Sequence, residues 1–372
     1  MSASPIAFRA DASLEMGSGH VMRCLTLADV LAARGHVCHF ICRAHEGHLG
    51  AVVSERGHKV HMLSNGEMSA QPPANGIVGA GPYARWLAIS PEQDARETAA
   101  VLAEIGAEWL VVDHYALGAA WEGDMAPYVA NRMVIDDLAN RPHDCHILLD
   151  QTLGRGAVDY AGLVPAGARL LCGSAYALLR PAFAALRAES LSRRRQNGVV
   201  RKILVSMGGV DADNLTGQVL NVLHQAALSK DYRMTVIMGR QAPWLEDVQD
   251  RAARLPLPTE VLVGVEDMAR LMADSDLAIG AAGASAWERC CLGLPTIMFI
   301  AADNQRGVAA ALATAGAATV LAADGLWSLP RHVTQLVRQG TSLAAMSERA
   351  AKVTDGHGAR LVADAMVGAH AR

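Results

Sequence analysis

Apolar positions along the chain follow two interleaved periods. Short runs of consecutive apolar residues at 6–9, 37–42, 60–63, 109–112, 133–136 and 147–149 read as buried strands. Helical patterns at 20–34, 47–56 and 91–105 fall between most of them. In the first of these, Val21, Cys24, Leu25, Ala28 and Leu31 recur at the spacing of one helix face. A second series follows, with strands at 202–206, 234–238, 261–263, 277–279, 296–300 and 319–321. Helical stretches at 215–228, 268–273, 285–292 and 306–315 separate them. Strands alternating with helices predict parallel sheets covered on both faces. The economical architecture is an α/β fold of two doubly wound, Rossmann-like domains facing a cleft.

Two stretches break the pattern. Residues 186–201 carry charge, Ser, Gln, Asn and Gly with no sustained apolar face. They read as an interdomain linker, separating a domain at 1–185 from one at 202–340, with terminal helices over 341–372. The Arg193-Arg194-Arg195 cluster reads as solvated within that linker. Residues 64–90, rich in Gly, Pro, Ser and Asn, read as a long excursion and a candidate mobile loop over a site.

Composition narrows the function classes. A chain of 372 residues that is 51% hydrophobic but only 4% aromatic can build two cores, chiefly from Ala, Leu and Val. A net charge of −4 without a basic block speaks against a nucleic-acid partner. Seven cysteines without framework spacing, and no apolar signal segment at the start, predict reduced thiols and a cytoplasmic location. No apolar run is long enough to cross a bilayer, so no membrane partner is expected. The oligomeric state is left open, a monomer included.

The glycine-bearing strand-to-helix turns carry the candidate chemistry. Gly17-Ser18-Gly19-His20 lies between the first strand and the first helix, where exposed N–H groups favour an anion and glycine allows close approach. His20 at that helix start is expected to stay neutral and serve as a base. In the second half, Gly208-Gly209 follows a strand. So does the turn Gly280-Ala281-Ala282-Gly283-Ala284-Ser285. Both suit a diphosphate, although neither is a P-loop or a dinucleotide fingerprint. Glu288 has two readings, as the partner of Ser285 in a capping box or as the acceptor of a ribose diol. Asp113, Asp136-Asp137 and Asp150 sit at strand ends, where substrate contacts belong, with loop and cap duty as the alternative. His143-Asp144-Cys145-His146 has no second ligand group at matching spacing, so neither a metal nor another cofactor is expected. Cys290-Cys291 lies in an apolar helix and reads as core.

The ordered segments FRADAS, GSGHVMRCLTLA, VVDHY, VIDDLANR, YALLRP, ILVSMGGVDADN, SDLAIGAAG and WERCCLGLPTI, with the Asn304-Gln305 pair that follows, resemble a known family. These are the UDP-2,4-diacetamido-2,4,6-trideoxy-β-L-altropyranose hydrolases of bacterial pseudaminic acid biosynthesis, the pathway that supplies flagellin glycosylation. That family is similar to the MurG-like glycosyltransferases and shares their two-domain GT-B fold. The resemblance implies that the second half binds UDP and the first half the sugar. It implies His20 as catalytic base, and Gly17, Ser18, Gly19, Gly283, Ala284 and Ser285 around the diphosphate. Glu288 would hold the ribose, and Arg9, Asp11, Asp113, Tyr115, Asp136, Asn304 and Gln305 would lie near the sugar. Ala284-Ser285-Ala286 departs from the pattern, with alanines where hydroxyl residues are expected. The implied reaction is inverting attack of water on the anomeric carbon, since UDP is a stable leaving group and one base suffices. The alternative is a GT-B glycosyltransferase, or a hydrolase of a related UDP-amino sugar.

Overall fold

The computed structural model describes residues 4–65, 83–196, 199–225, 228, 230–240, 242–338 and 340–368. The chain divides into two compact units, Met1–Gln151 with Arg155–Leu178 and Ala359–Arg372, and Thr152–Gly154 with Leu179–Gly358.

The strands of the first unit are β1 (Ile6–Ala10), β2 (Cys38–Arg43), β3 (Lys59–Leu63), β4 (Trp109–Asp113), β5 (Asn131–Ile135), β6 (Ile147–Asp150) and β7 (Arg169–Cys172). Its helices include α1 (Gly19–Ala32), α2 (Gly50–Glu55), α3 (Pro91–Ile105) and α4 (Ala119–Asp124). The sheet order is β3-β2-β1-β4-β5-β6-β7, and the pairs are parallel. A parallel sheet must be covered on both faces. Phe8, Leu25, Leu31 and Val111 form one buried layer, while Ala7, Leu102, Leu110 and Trp121 belong to the other. The strand β7 escapes periodicity because only Leu171 of its four residues is buried.

The second unit holds β8 (Lys202–Ser206), β9 (Arg233–Met238), β10 (Thr259–Val263), β11 (Leu277–Ala281), β12 (Thr296–Phe299) and β13 (Thr319–Leu321). They are parallel in the order β10-β9-β8-β11-β12-β13. The helices are α5 (Pro181–Gln196), α6 (Leu215–Gln225), α7 (Leu245–Ala253), α8 (Met268–Asp274), α9 (Ser285–Cys291), α10 (Arg306–Thr314), α11 (Leu329–Arg338) and α12 (Gly340–Ala351). Val205, Val219, Val236, Ile279 and Phe299 lie in its buried core. A last helix, α13 (Gly358–Val367), belongs to the first unit. Its Val362 and Met366 share a buried cluster with Phe8 and Leu31, and Asp364 pairs with Arg34 at 2.7 Å. The terminal helices are therefore split between the units rather than forming one appendage.

The expected linker is corrected: residues 181–196 form the helix α5 of the second unit. It lacks an apolar stripe, with only Phe183 and Ser190 buried, because arginines hold it in place. Arg194 donates to the carbonyls of Met272, Ser275 and Leu292 at 2.9, 2.7 and 3.0 Å. Arg193 donates to those of Ala273 and Ser275 and pairs with Asp276 at 2.6 Å. Arg187 serves Cys291 and Ala351. Orphan carbonyls at the ends of α8, α9 and α12 thus receive cationic donors where the helix dipole favours them. Burial brings the Arg194 guanidinium down to about 9. Most of the 64–90 excursion, residues 66–82, lies outside the described residues. After it come Tyr83 and a 3-10 turn, Ala84–Leu87. Among the described residues no helix is long and apolar enough to cross a membrane.

Candidate active site

The turn after β1 brings His20 to its place. Ser13 Oγ accepts the N–H groups of Glu15 and Met16, and Gly17 N–H returns to the Ser13 carbonyl at 2.9 Å. Gly17 sits at φ +76°, a left-handed backbone that favours glycine. The chain then enters α1 with no side-chain cap from Ser18. A side chain at Gly17 or Gly19 would meet nothing within 4 Å, so the backbone of this turn is open to a ligand.

His20, Arg23 and Cys24 lie at i, i+3 and i+4, on the face of α1 that meets the end of β4. His20 Nδ1 is 2.6 Å from Asp113 Oδ1. Arg23 grips the same carboxylate with Nε at 2.6 Å and Nη2 at 2.7 Å, and reaches Asp137 with Nη1 at 2.8 Å. Asp113 is wholly buried. Although burial opposes its charge, the Arg23 guanidinium and His20 hold the carboxyl well below the usual carboxylate range. A permanent carboxylate on Nδ1 keeps the proton there and leaves Nε2 as the basic nitrogen. Nε2 has no protein partner among the described residues. Tyr115 packs edge-on against the imidazole, with ring centroids 4.6 Å apart, and its hydroxyl donates to Asp137 at 2.5 Å. Trp86 stacks on Tyr115 at 5.6 Å, and Tyr83 contacts both rings.

The other candidate sugar contacts of this unit serve the fold. Arg9 and Asp11 are fully buried and paired at 2.7 Å. Arg9 also binds Asp94 at 2.6 Å, and Asp11 takes the backbone N–H of Arg43 at 2.7 Å. Asp136, fully buried too, accepts from Ala139 N–H, Arg141 and Tyr160 at 2.8, 2.7 and 2.9 Å. Of the residues expected near the sugar, Arg9, Asp11 and Asp136 are engaged by these buried partners, and Asp113 is engaged by His20 and Arg23. Charged groups buried this deeply at strand ends are paired with opposite charges, although Asp11 Oδ2 accepts no hydrogen bond among the described residues. His143 binds Glu122 at 2.7 Å, and His146 Nδ1 accepts Arg132 N–H at 3.0 Å, so these histidines have structural partners.

In the second unit the two glycine turns differ. The helix α6 is capped from within. Asp211 accepts the N–H groups of Leu215 and Thr216 at 2.9 and 2.8 Å, and Asn214 accepts that of Gly217 at 3.0 Å. An aspartate occupies the end where a phosphate was expected, which removes the helix-start argument for Gly208 and Gly209. Gly208 itself is open, at φ +110°. The turn from β11 into α9 has no such side chain. Ala284 is the cap residue and makes no side-chain cap bond. Ser285 is therefore already helical, and the capping box with Glu288 does not form. Glu288 instead lies 3.6 Å from Arg180, and burial pushes its carboxyl up. Gln305 places its amide beside Gly283, 3.6 Å from where a Cβ would sit, and its oxygen accepts Ala301 N–H at 2.9 Å. Asn304 lies beside it in a 3-10 turn, Asp303–Gln305. Gly283, Ala284, Ser285, Glu288 and Gln305 thus follow the carboxyl ends of the neighbouring strands β11 and β12.

Comparison with known proteins bears on the fold and on the relatives of the chain. Residues 202–362 match the glycosyltransferase family 28 C-terminal domain. The structure aligns with MurG of Acinetobacter baumannii at a TM-score of 0.67 and 16% identity, covering 98% of this chain and 99% of that one. The fold is that of the GT-B glycosyltransferases. CalG4, the calicheamicin glycosyltransferase, shares it at a TM-score of 0.54 and 14% identity, covering 100% of this chain and 99% of that one. In sequence, the chain is 25% identical over 311 residues to the UDP-2,4-diacetamido-2,4,6-trideoxy-beta-L-altropyranose hydrolase of Campylobacter jejuni, spanning 84% of this chain and 97% of that protein. It is 34% identical over 155 residues to the spore coat polysaccharide biosynthesis protein SpsG of Bacillus subtilis. That match spans 42% of this chain and 44% of SpsG, less than half of the relative's length. The resemblance read from the motifs is borne out at this level.

Sequence reasoning gave no role to Arg23, Trp86 and Arg180. Arg23 had a signal, its position one turn after His20. Arg180 stands in YALLRP, a segment that carried the resemblance without a role. Trp86 gave none, because its partners Tyr115 and His20 are brought to it only by folding.

Proposed function

We propose that the protein hydrolyses a UDP-linked 2,4-diacetamido-2,4,6-trideoxy sugar to UDP and the free sugar. The observation that carries the reading is the His20–Asp113 pair, 2.6 Å apart beside an open glycine turn, with no partner on Nε2 among the described residues. Near-full-length similarity to the Campylobacter jejuni hydrolase supports the substrate class. In this reading water attacks the anomeric carbon from the face opposite UDP. His20 Nε2 takes the water proton as the C–O bond to the diphosphate breaks, and the electron pair leaves with UDP. The product sugar has inverted configuration. Asp113 supports the imidazolium that forms, and Arg23 keeps Asp113 charged and in place. The second unit supplies the nucleotide contacts, with Glu288 accepting from the ribose hydroxyls and the Gly283–Ser285 turn facing the diphosphate.

A second reading, transfer of the sugar to an acceptor hydroxyl, is supported by the glycosyltransferase family 28 match. The same base would then deprotonate that hydroxyl. Incubation with the UDP-sugar alone in ¹⁸O-water separates the two. Hydrolysis releases UDP without an acceptor and puts the label on the sugar's anomeric hydroxyl. No UDP release without an acceptor favours transfer, and label in UDP overturns attack at carbon altogether.

A further inference from the structure

Arg289 is a buried cation, 1% exposed, one turn after Ser285 on α9. Its Nη1 donates to Ser285 Oγ at 3.1 Å and its Nη2 to the Ala281 carbonyl at 2.6 Å, while Nε has no hydrogen-bond partner among the described residues. The adjacent Glu288 pairs with Arg180 rather than with Arg289. The guanidinium lies at the ends of β8 and β11. A Cβ on Gly280 would be 2.7 Å from its Nη1 and 2.8 Å from the Ser206 carbonyl, so glycine there makes room for it. Burial lowers its pKa only to about 10, which leaves it charged at neutral pH. A buried charge with two neutral acceptors and no carboxylate is costly, and an apolar side chain of similar volume would be cheaper to bury.

The hydrogen-bond chemistry indicates what the charge is for. A guanidinium only donates, so Ser285 Oγ must accept from Arg289. The hydroxyl proton of Ser285 is then left to be donated to a ligand. The flanking Ala284 and Ala286 have no hydroxyl to offer. We propose that Arg289 is a positioning residue for the diphosphate: it fixes Ser285 as a donor and supplies the positive charge behind the Ala282–Ala284 turn. This inference rests on the nucleotide reading of the second unit.

The test is a double-mutant cycle on Arg289→Met and Ser285→Ala, read by calorimetric titration of the full-length protein with UDP, uridine and inorganic pyrophosphate. Arg289→Met should weaken UDP and pyrophosphate about 10- to 100-fold, the range of a lost charged donor, and leave uridine unchanged. Ser285→Ala should weaken UDP less, and should add little in the Arg289→Met background. If Arg289→Met does not fold, Arg289→Lys takes its place. Its shorter, compact ammonium cannot serve Ser285 and Ala281 in the same fork, so the same selective loss is expected. Equal losses for UDP and uridine, or an unchanged UDP affinity, would overturn the role of Arg289. A wild-type protein that binds pyrophosphate but not UDP would overturn the nucleotide reading instead, and the pyrophosphate titrations then decide the role of Arg289. Binding of neither would overturn both.

Discussion

Asp113→Asn tests the proposed mechanism most directly. The carboxylate accepts from His20 Nδ1, from Arg23 Nη2 and Nε, and from the Cys24 thiol at 3.6 Å. Asparagine offers one acceptor oxygen and a two-proton donor. If the amide nitrogen faces Arg23 Nε, two donors collide. If it faces His20, it drives the proton from Nδ1 to Nε2 and abolishes the base. In both orientations the imidazolium formed during reaction loses its counter-charge. At about 4 Å between charge centres and an effective dielectric of about 20, that interaction is worth about 4 kcal/mol. This corresponds to about 10³-fold in kcat. KM and UDP affinity should barely change, because the nucleotide contacts are assigned to the second unit. Stability should fall by roughly 2–3 kcal/mol, less than for a fully stranded ion, since Arg23 keeps Asp137. The assay is UDP release from the UDP-diacetamido sugar, with a denaturant melt on the same sample. A folded Asp113→Asn protein turning over within about tenfold of wild type would refute the pair as the catalytic unit.

His20→Ala should lower turnover by about 100-fold or more with UDP affinity intact, and near-normal turnover of the folded variant would exclude a His20 base. Glu288→Gln should weaken UDP by about 1.5–3 kcal/mol in a titration, yet leave the melting temperature unchanged or higher, because burial already disfavours its charge. A lower melting temperature with unchanged UDP affinity would make Glu288 structural. Arg194→Met strips donors from three carbonyls and should cost roughly 2–4 kcal/mol in a denaturant melt without changing kcat. A change within 0.5 kcal/mol, the usual range for a neutral surface site, would show that α5 is held otherwise. His114 accepts Ala116 N–H on Nδ1 and is held neutral by burial down to about 4, against an ordinary 6.5. Below 6.5 the unfolded chain takes up a proton that the folded one refuses. Stability from this group is therefore full above pH 6.5 and is lost as pH falls toward 4, by roughly 3 kcal/mol in all. Denaturant midpoints across that window should fall less steeply for His114→Asn than for wild type, and parallel curves would contradict the assignment.

The central strands and the first helix were legible because each buries a run or a stripe of its own. Phe8, Val111 and Ile279 need no knowledge of their neighbours to be read as interior. The Gly17–His20 turn was legible because a positive φ and an open approach call for small residues at fixed positions. The two glycine turns of the second half look alike in sequence. They are told apart by Asp211 and Asn214, which fold back to cap α6 while nothing caps α9 in the same way.

What the sequence by itself determined was therefore local: which segments are strands or helices, that two parallel sheets follow one another, and that a histidine stands at a helix start after an open turn. What only the tertiary structure decided was partnership. Helix α5 was misread because its stability comes from arginines reaching carbonyls about 80 to 160 residues away, not from an apolar stripe. Asp113 and Asp136 are equivalent strand-end aspartates on paper. One meets His20 across 93 residues of chain and the other meets Arg141 and Tyr160. Charge and hydrogen bonding act over a few ångströms in space whatever the distance along the chain, so which acid serves the base is settled only when β4 and α1 are packed together.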